Sequence, residues 1–274
     1  MMNTQPLPPI ERPTAEINTR RILLALSYDG TAYAGWQRQE NAIAVQQKVE
    51  EALTKLTGEQ IRITGASRTD AGVHARMQCA HFDTACHIPA NKFPFALNTC
   101  LPRDIRALSG IAVDSEFHAR FDAMGKQYIY RIHNAPHADA LFRDFCAHVP
   151  TPLDRITMKK SLPALLGTHD FSAFQAAGGT AKTTVRTLSR LDLTWDNDDL
   201  VLTVEGNAFL YNMVRIIAGT LIGIGQHRVS ENAFARALHS GDRLALGATA
   251  PAHGLLLRRI FYPEEIQSAL MKNP

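Results

Sequence analysis

An uninterrupted apolar run near the start of the chain is the feature that most constrains its fold. Within the segment Arg21–Tyr28, residues 22 to 26 read Ile-Leu-Leu-Ala-Leu. A strand with one face in water alternates apolar and polar residues, whereas a run without that alternation is typical of a sheet covered on both faces. The sequence therefore predicts a central strand at Arg21–Tyr28, with other elements packed against both of its sides.

The rest of the chain mixes strand and helix patterns without a regular βαβα order. Further strands are predicted at 61–64, 78–83, 105–113, 126–132, 186–195, 200–205 and 255–262. Helices are predicted at 45–56, 91–101 and 152–166, from near 207 onward, and between 230 and 241. This irregular order favours an α+β fold over a doubly wound sheet. The order of elements is similar in both halves, which suggests an ancient duplication.

Capping residues predict where several of these helices begin and end. Asn41 is expected to cap the first helix, and Gly58 is expected to stop it. Thr151 and Pro152 are expected as the cap and first residue of a later helix. Ser230 is expected to cap the helix that ends at Gly241.

Charge and cysteine usage exclude few functions by themselves. The 29 basic and 26 acidic side chains leave a formal net charge of only +3, so an RNA partner would require basic residues gathered on one face. The four cysteines form no CxxC pair, which is typical of free thiols in a reducing compartment. Cys79, His81, Cys86 and His87 match no zinc-finger spacing, and no metal or other cofactor is expected.

Two segments bear on the cellular location, a polar stretch at residues 1–18 and a long apolar run at residues 209–224. Residues 1–18 are polar and rich in proline without the apolar core of a signal peptide, and they are expected to form a disordered or loosely attached tail. The run 209–224 is too short for a comfortable membrane span and contains Arg215, so a buried helix is expected. A cytoplasmic protein is expected.

One loop brings unusual chemistry together. Residues 65–76 read Gly-Ala-Ser-Arg-Thr-Asp-Ala-Gly-Val-His-Ala-Arg and lie between two predicted strands. Gly65 and Gly72 bracket the single carboxylate of Asp70, and Arg68 precedes it by two residues. Glycines allow such a loop to hold a side chain at an open cleft, although Asp beside Gly is also ordinary turn chemistry.

A second unusual residue is Arg215, which lies between Val214 and Ile216 in the predicted apolar helix. A buried guanidinium is costly without a partner. Asp70 is a candidate partner, and a paired aspartate would stay ionised. Alternatively, Arg215 extends to the surface along its flexible stem. Phosphate-binding glycine loops and the HExxH and GxSxG motifs are absent from the sequence.

Aromatic residues permit either packing or base stacking at three places. Trp36 beside Arg38 is interpreted as a packing residue first and a stacking residue second. Tyr128, Tyr130 and Ile132 share one face of an alternating strand, which is either core or a platform for a base. The segment 116–123 has an aromatic-basic-aromatic pattern and is expected to link the two halves of the chain.

Four ordered motifs of this sequence resemble the TruA family of tRNA pseudouridine synthases. The loop at 65–75 is similar to the family's active-site loop, and 26–37 is similar to its opening motif. The segment 117–132 and the segment 207–215, Asn-Ala-Phe-Leu-Tyr-Asn-Met-Val-Arg, resemble two further motifs. The resemblance extends from about residue 20 to residue 262. It implies a pseudouridine-synthase fold, with a mixed, largely antiparallel sheet built from two similar halves and flanked by helices.

The resemblance also implies a reaction and the residues that perform it. Uridine would be isomerised to pseudouridine in the anticodon arm of tRNA, classically at positions 38 to 40. Asp70 matches the catalytic aspartate, which either attacks C1′ or stabilises cationic character there. Tyr128 matches a tyrosine that stacks on the target base, Arg68 an arginine that helps to hold it flipped out, and Arg215 the partner of the aspartate.

Further residues are expected to bind RNA. In the second motif these are Phe117, His118, Ala119, Arg120 and Phe121, with His118 and Arg120 contacting phosphate or sugar. Lys182 lies in a loop that corresponds in position to an RNA-contacting segment of the family. The resemblance implies a homodimer with a basic cleft. The division predicted is a tail at 1–18, an N-terminal half at 19–115 and a C-terminal half at 116–274.

Two other functions remain as alternatives. A non-catalytic RNA-binding protein on the same fold would use Asp70 only as a turn residue, but the joint presence of Arg68, Asp70, Tyr128 and Arg215 argues against it. A nucleoside or glycoside hydrolase with Asp70 as nucleophile would normally require a second carboxylate nearby. The loop at 65–76 offers none.

Overall fold

The computed structural model describes residues 19–272, so the tail predicted at 1–18 lies outside the described residues. One mixed sheet dominates this part of the chain. Its ten strands are β1 (Arg20–Tyr28), β2 (Thr64–Gly65), β3 (His74–Thr84), β4 (Ile105–Val113), β5 (Gly125–His133), β6 (Ala147–His148), β7 (Gly167–Asp170), β8 (Val185–Asp196), β9 (Asp199–Gly206) and β10 (Leu255–Phe261).

The sheet confirms the predicted α+β class. Along its main path the strand order is β4-β1-β3-β10-β5-β9-β8-β7, with β2 paired to β3 and β6 paired to β5. All pairings are antiparallel except β10 with β3 and β5 with β6. The last strand of the chain therefore lies between strands of the two predicted halves. The division into those halves stays a prediction.

Six α-helices accompany the sheet in the described residues. They are α1 (Val45–Thr57), α2 (Phe93–Leu97), α3 (Arg155–Ser161), α4 (Met213–Gly225), α5 (Ala233–Ser240) and α6 (Glu264–Lys272). Each of α1 to α5 overlaps a predicted helix, although most of their starting residues differ from the prediction. None of the helices in residues 19–272 is long and apolar enough to cross a membrane.

All three predicted N-terminal caps were wrong, whereas two C-terminal ones were confirmed. Helix α1 begins after Ala44 rather than after Asn41, and α5 begins after Asn232 rather than after Ser230. Gly58 and Gly241 end these helices in the left-handed conformation, which glycine adopts without steric cost. A downstream cap is better marked in sequence because few residues other than glycine tolerate that backbone geometry.

Two helix starts were also wrong. Helix α3 begins after Asp154, whose side chain accepts a hydrogen bond from the Thr157 amide, instead of at Thr151 and Pro152. It ends at Ser161, where Pro163 directs the chain into a 3₁₀ turn at Leu162–Leu165. Helix α4 begins at Met213 rather than near residue 207, because Asn212 occupies the left-handed region with a φ of 61°.

The core forms where the apolar runs predicted it. In β1 the side chains of residues 22 to 26 are almost completely buried, as expected for a strand covered on both faces. Helix α1 contributes its apolar stripe, Val45, Val49, Ala52 and Leu53. Helix α4 buries most of its length, which confirms the predicted buried helix.

A buried carboxylate ties α1 to the segment that leads into β2. Glu50 is only 2% exposed. Its two oxygens accept hydrogen bonds from the Gln46 amide, the Ile63 backbone N–H, and the guanidinium groups of Arg38 and Arg62, at 2.7–3.2 Å. Because all of these donors converge on one buried group, the carboxylate costs little to bury and fixes the approach to the loop that follows.

We expect the substitution Glu50→Ala to lower the free energy of unfolding by about 2 to 3 kcal/mol, because it leaves buried donors without an acceptor. Urea unfolding followed by circular dichroism measures this change. The matched control is Glu51→Ala, on the same helix, where a half-exposed carboxylate meets Lys48 and a change below about 0.5 kcal/mol is expected. Equal effects at the two positions would contradict the argument.

Candidate active site

The loop that carries Asp70 emerges from the middle of the sheet. Strand β3 pairs with β2 through Ala80 and His81, and with β10 through His74 and Ala75. Residues 66–73 therefore connect β2 to β3 at the point where β3 changes neighbours. A loop in this position is held by strands on both sides, so its functional groups can be placed accurately.

Packing from β1 and the following loop holds this loop in place. The Tyr28 hydroxyl lies 2.7 Å from the Thr69 hydroxyl, and the backbone N–H of Trp36 donates to the Thr69 carbonyl at 3.0 Å. A Cβ at position 65 would collide with the Trp36 indole, so close packing requires glycine there. Trp36 is 2% exposed and stacks on Tyr28. Its interpretation as a packing residue is confirmed.

Asp70 and Arg215 meet across the site, as the sequence suggested. The Arg215 guanidinium lies 3.4 Å from the Asp70 carboxylate, and the two side chains are 18% and 26% exposed. Their positions in the chain differ by 145 residues. The alternative in which Arg215 extends to the surface without a partner was wrong.

Arg215 is held by groups other than Asp70. It lies in the first turn of α4, and not in the middle of the helix as predicted, because α4 begins at Met213. Its Nε donates to the Ala250 carbonyl at 2.8 Å, and a terminal nitrogen donates to the Asn212 side chain at 2.7 Å. These two bonds are shorter than the one to Asp70, so they fix the guanidinium in front of the carboxylate.

Burial dominates the electrostatics of Asp70. Removal from water raises the pKa of its carboxyl above the ordinary value, and the charge and hydrogen bond of Arg215 oppose that rise without cancelling it. Arg215 thus provides less stabilisation of the charge than pairing alone suggests. A carboxylate of this kind is poorly solvated and therefore reactive toward a developing positive charge.

Tyr128 lies two strands away from the loop, at the same level of the sheet. Leu257 of β10 pairs with Ala75 of β3 on one side and with Tyr128 of β5 on the other. The Tyr128 ring is 6% exposed and meets Phe209 edge to face at 5.0 Å. Burial raises the pKa of its phenol to about 12, with a small contribution from the charge of Asp70.

Three residues at the site were missed by sequence reasoning. Ser67 places its hydroxyl 3.0 Å from that of Tyr128, Phe209 packs on the Tyr128 ring, and Asn212 binds Arg215. Ser67 and Asn212 are short polar residues in loops, where such residues are common for local reasons. Only their place within the motifs 65–76 and 207–215 distinguished them.

Arg68 and the residues of the segment 117–121 differ in how far they are exposed to solvent. Arg68 is exposed, two residues before Asp70. Ala119 is completely buried, and its backbone binds His81 and the Tyr262 hydroxyl, so its side chain has no access to a ligand. Phe117 is half-buried against Tyr262. The backbone of this segment is therefore anchored to the core.

The outer half of the same segment is open to solvent. Phe121 is 76% exposed and stacks on His118 at 4.2 Å between ring centroids. The Arg120 guanidinium lies over the Phe121 ring at 5.9 Å. Lys182 is also exposed, in the loop before β8. Proteins that bind single-stranded nucleic acid combine exposed aromatic rings, on which bases stack, with cations that contact the phosphates.

Two of the four residues considered for zinc, Cys79 and His81, have other roles in the structure. Cys79 lies in the core, and the ring of His81 accepts a hydrogen bond from the Ala119 amide at 3.0 Å. Within residues 19–272 no group of three or more His, Cys, Asp or Glu side chains is arranged to hold a metal ion.

The raised pKa of Asp70 gives a prediction with a definite sign. Since the folded protein binds a proton at Asp70 more tightly than the unfolded chain does, ionisation of Asp70 destabilises the fold above about pH 4. The variant Asp70→Asn avoids this cost. We expect its free energy of unfolding, relative to that of the unmodified protein, to increase from about pH 4 to about pH 7 in urea titrations.

Asp83→Asn is the matched control, and its free energy of unfolding relative to that of the unmodified protein is expected to decrease with pH. The hydrogen bonds of Arg21 lower the pKa of Asp83, so the unmodified protein gains stability from this group as the pH rises, and the variant loses that gain. A relative stability of Asp70→Asn that stays constant or decreases with pH would show that burial does not dominate at Asp70.

Comparisons with known proteins are consistent with this geometry. A family model described as tRNA pseudouridine synthase matches residues 24–122 and 162–263. The tRNA pseudouridine synthase A of Ruminiclostridium cellulolyticum is 47% identical over 244 residues, covering 89% of this chain and 100% of the relative. That of Thermoanaerobacter sp. strain X514 is 45% identical over 243 residues, covering 89% and 100%.

Among solved structures, a Cbf5–Nop10–Gar1 complex matches with 11% sequence identity and a TM-score of 0.35, covering 88% of this chain and 50% of that one. This score is too low to support a conclusion about the fold. The family model and the two relatives together cover most of the chain, including the loop with Asp70 and the start of α4 with Arg215. The chain therefore belongs to the tRNA pseudouridine synthase family.

Proposed function

We propose that the chain acts on uridines in the anticodon arm of tRNA, at positions 38 to 40, with Asp70 as its central catalytic group. As a member of its family it is an isomerase that converts uridine to pseudouridine in tRNA. The observation that supports Asp70 most strongly is its partly buried pair with Arg215, on a loop held from both sides of the sheet.

The reaction breaks the bond between N1 of uracil and C1′ and forms one between C5 and C1′, while C5 loses a proton and N1 gains one. The sugar carbon becomes electron-poor as the first bond breaks. Asp70 acts at this carbon, either by covalent attack or by stabilising its positive character. A carboxylate with a pKa raised by burial is suited to both, because little water has to be removed from it.

The other site residues are proposed to prepare the base and the carboxylate. Arg215 orients Asp70 and maintains its charge. Tyr128 supports the base by stacking and assists removal of the proton from C5. Arg68, exposed in the same loop as Asp70, helps to hold the nucleotide flipped out of the helical stack. Flipping the nucleotide costs a few kcal/mol.

Contacts to RNA are proposed along the segment 117–121 and at Lys182. Arg120 and His118 suit phosphate or sugar oxygens, and the exposed Phe121 ring suits an unpaired base. Phe117 and Ala119 anchor this segment from the core and are proposed to act through its backbone.

Assembly and location are part of the proposal as well. A net charge of +3 is small for a protein that binds an RNA backbone. A homodimer would let two copies line one cleft with their basic residues. The enzyme is proposed to act in the cytoplasm.

The decisive experiment maps pseudouridine by carbodiimide labelling and primer extension on unmodified tRNA. We expect modification in the anticodon arm with the unmodified protein and a loss of at least about a thousandfold in rate with Asp70→Asn, because a group at the reacting carbon is removed. Asp83→Asn, which removes a carboxylate paired with Arg21 on the following strand, is expected to retain activity.

Each alternative has its own outcome in this assay. Modification by Asp70→Asn at the normal rate would refute Asp70 as the catalyst. Tight binding without modification by either protein would identify a non-catalytic RNA-binding protein. Release of free uracil would identify a hydrolase. That outcome is not favoured, because a hydrolase would normally use a second carboxyl group, whereas the charged partner of Asp70 is the Arg215 guanidinium.

We expect Phe121→Ala to weaken tRNA binding by about fivefold to a hundredfold with little change in kcat, since loss of stacking on one base costs about 1 to 3 kcal/mol. Filter binding and steady-state kinetics measure the two effects. The matched control is Phe95→Ala, because Phe95 is 65% exposed with Lys92 over its ring. An equal loss in both variants would refute a specific role for Phe121.

A further inference from the structure

A partly buried lysine, Lys126, lies beneath the active-site loop and has no role in the reaction described so far. Lys126 precedes Tyr128 by two residues on β5, so the two side chains share a face. Its ammonium group donates to the Ala66 carbonyl at 2.9 Å and to the Ser67 hydroxyl at 3.2 Å. It therefore links the strand that carries the tyrosine to the first residues of the loop that carries the aspartate.

Ser67 connects this lysine to the tyrosine. Its hydroxyl is 3.0 Å from the Tyr128 hydroxyl and is buried. Gln78 holds the Ser67 backbone, because its side-chain amide donates to the Ser67 carbonyl at 2.5 Å and accepts from the Ser67 N–H at 3.3 Å. Ser67 is thus fixed between Lys126 and Tyr128.

The donor and acceptor groups of Lys126, Ser67 and Tyr128 set the direction of the hydrogen bonds among them. A lysine ammonium has only donors, whereas a serine hydroxyl has one hydrogen and two lone pairs. When Lys126 donates to the Ser67 oxygen, the Ser67 hydrogen is available to the Tyr128 oxygen at 3.0 Å, a shorter contact than the one to the Arg68 carbonyl at 3.5 Å. The hydrogen of Tyr128 is then left for a partner in the cleft.

We propose that Lys126 and Ser67 are positioning residues that orient the Tyr128 hydroxyl toward the target base. The proposal rests on the role of Tyr128 in the proposed function. No bond is made or broken by either residue. Their effect is to select one of two hydrogen-bond directions and to hold the start of the Asp70 loop against β5.

The charge state of Lys126 provides a specific readout. Burial, with a contribution from the positive charge of Arg120, lowers the pKa of Lys126 to about 8. Its neighbours on the adjacent strands are Gly206 and Ile260, which carry no charge. Above this pH the neutral amine can accept from Ser67, and the order of donors can reverse. An arginine would remain a donor across this range.

The experiment measures kcat and KM for pseudouridine formation on unmodified tRNA from about pH 6.5 to about pH 9. Ser67→Ala is expected to lower kcat about tenfold with an unchanged KM, the effect of losing the one hydrogen bond that orients the Tyr128 hydroxyl. The unmodified protein is expected to lose kcat above pH 8, whereas Lys126→Arg is expected to keep its neutral-pH value to about pH 9.

A double-variant cycle separates orientation of Tyr128 from general stability. In a Tyr128→Phe background, Ser67→Ala is expected to have no further effect on kcat, because the hydroxyl to be oriented is gone. The matched control is Ser109→Ala. Ser109 is buried on β4, and its hydroxyl has no hydrogen-bond partner within residues 19–272. Thermal unfolding confirms that each variant is folded.

The outcomes that overturn the proposal are distinct from failure of the proposed site. Additive effects of Ser67→Ala and Tyr128→Phe, or an alkaline decline that persists in Lys126→Arg, would refute the positioning role while Asp70→Asn still abolishes activity. If Tyr128→Phe alone has full activity, both the role of Tyr128 and this inference are wrong. If Lys126→Arg does not fold, the Ser67→Ala cycle decides the matter by itself.

Discussion

The ion pair between Asp70 and Arg215 is the interaction on which the site depends. It joins a loop of the first half of the chain to a helix of the second, across a gap of 3.4 Å and a sequence separation of 145 residues. Burial raises the pKa of the carboxyl, and the guanidinium limits that rise. Arg215 is also held by Asn212 and Ala250, so the guanidinium has a fixed position opposite the carboxylate. The Asp70 carboxylate is therefore charged and poorly solvated, which makes it reactive.

The sheet makes this meeting possible. Strand β10, last in the chain order of strands, lies between β3 and β5 and is parallel to β3. Leu257 therefore aligns Ala75, just after the Asp70 loop, with Tyr128. Tyr128 and Asp70, proposed as base-supporting tyrosine and catalytic carboxylate, come from different strands and loops far apart in the chain, so the site forms only when these segments are folded onto the same sheet. This arrangement couples the chemistry to the stability of the whole domain.

Polar groups that are buried or partly buried around the site each have hydrogen-bond partners. Glu50 collects the donors near α1, Lys126 binds the loop through Ala66 and Ser67, and Thr69 binds Tyr28. An unpaired polar group in the interior would cost about 1 to 3 kcal/mol. Here each one fixes a backbone segment that leads to the site. The proposed roles of Lys126 and Ser67 follow from the same principle, because a hydrogen bond that satisfies a buried group also sets its direction.

The sequence by itself determined the class of fold, the strands β1, β8 and β9, the C-terminal ends of α1 and α5, and the family. Local pattern and glycine geometry are sufficient for these. The caps at Ala44 and Asp154 and the start of α4 at Met213 were missed, since many residues can precede a helix and tertiary contacts choose among them. Only the tertiary structure decided that Arg215 pairs with Asp70, that Ala119 is buried, and that Ser67 contacts Tyr128. Such contacts join residues far apart in the chain, and no periodicity in a sequence records the distance between them.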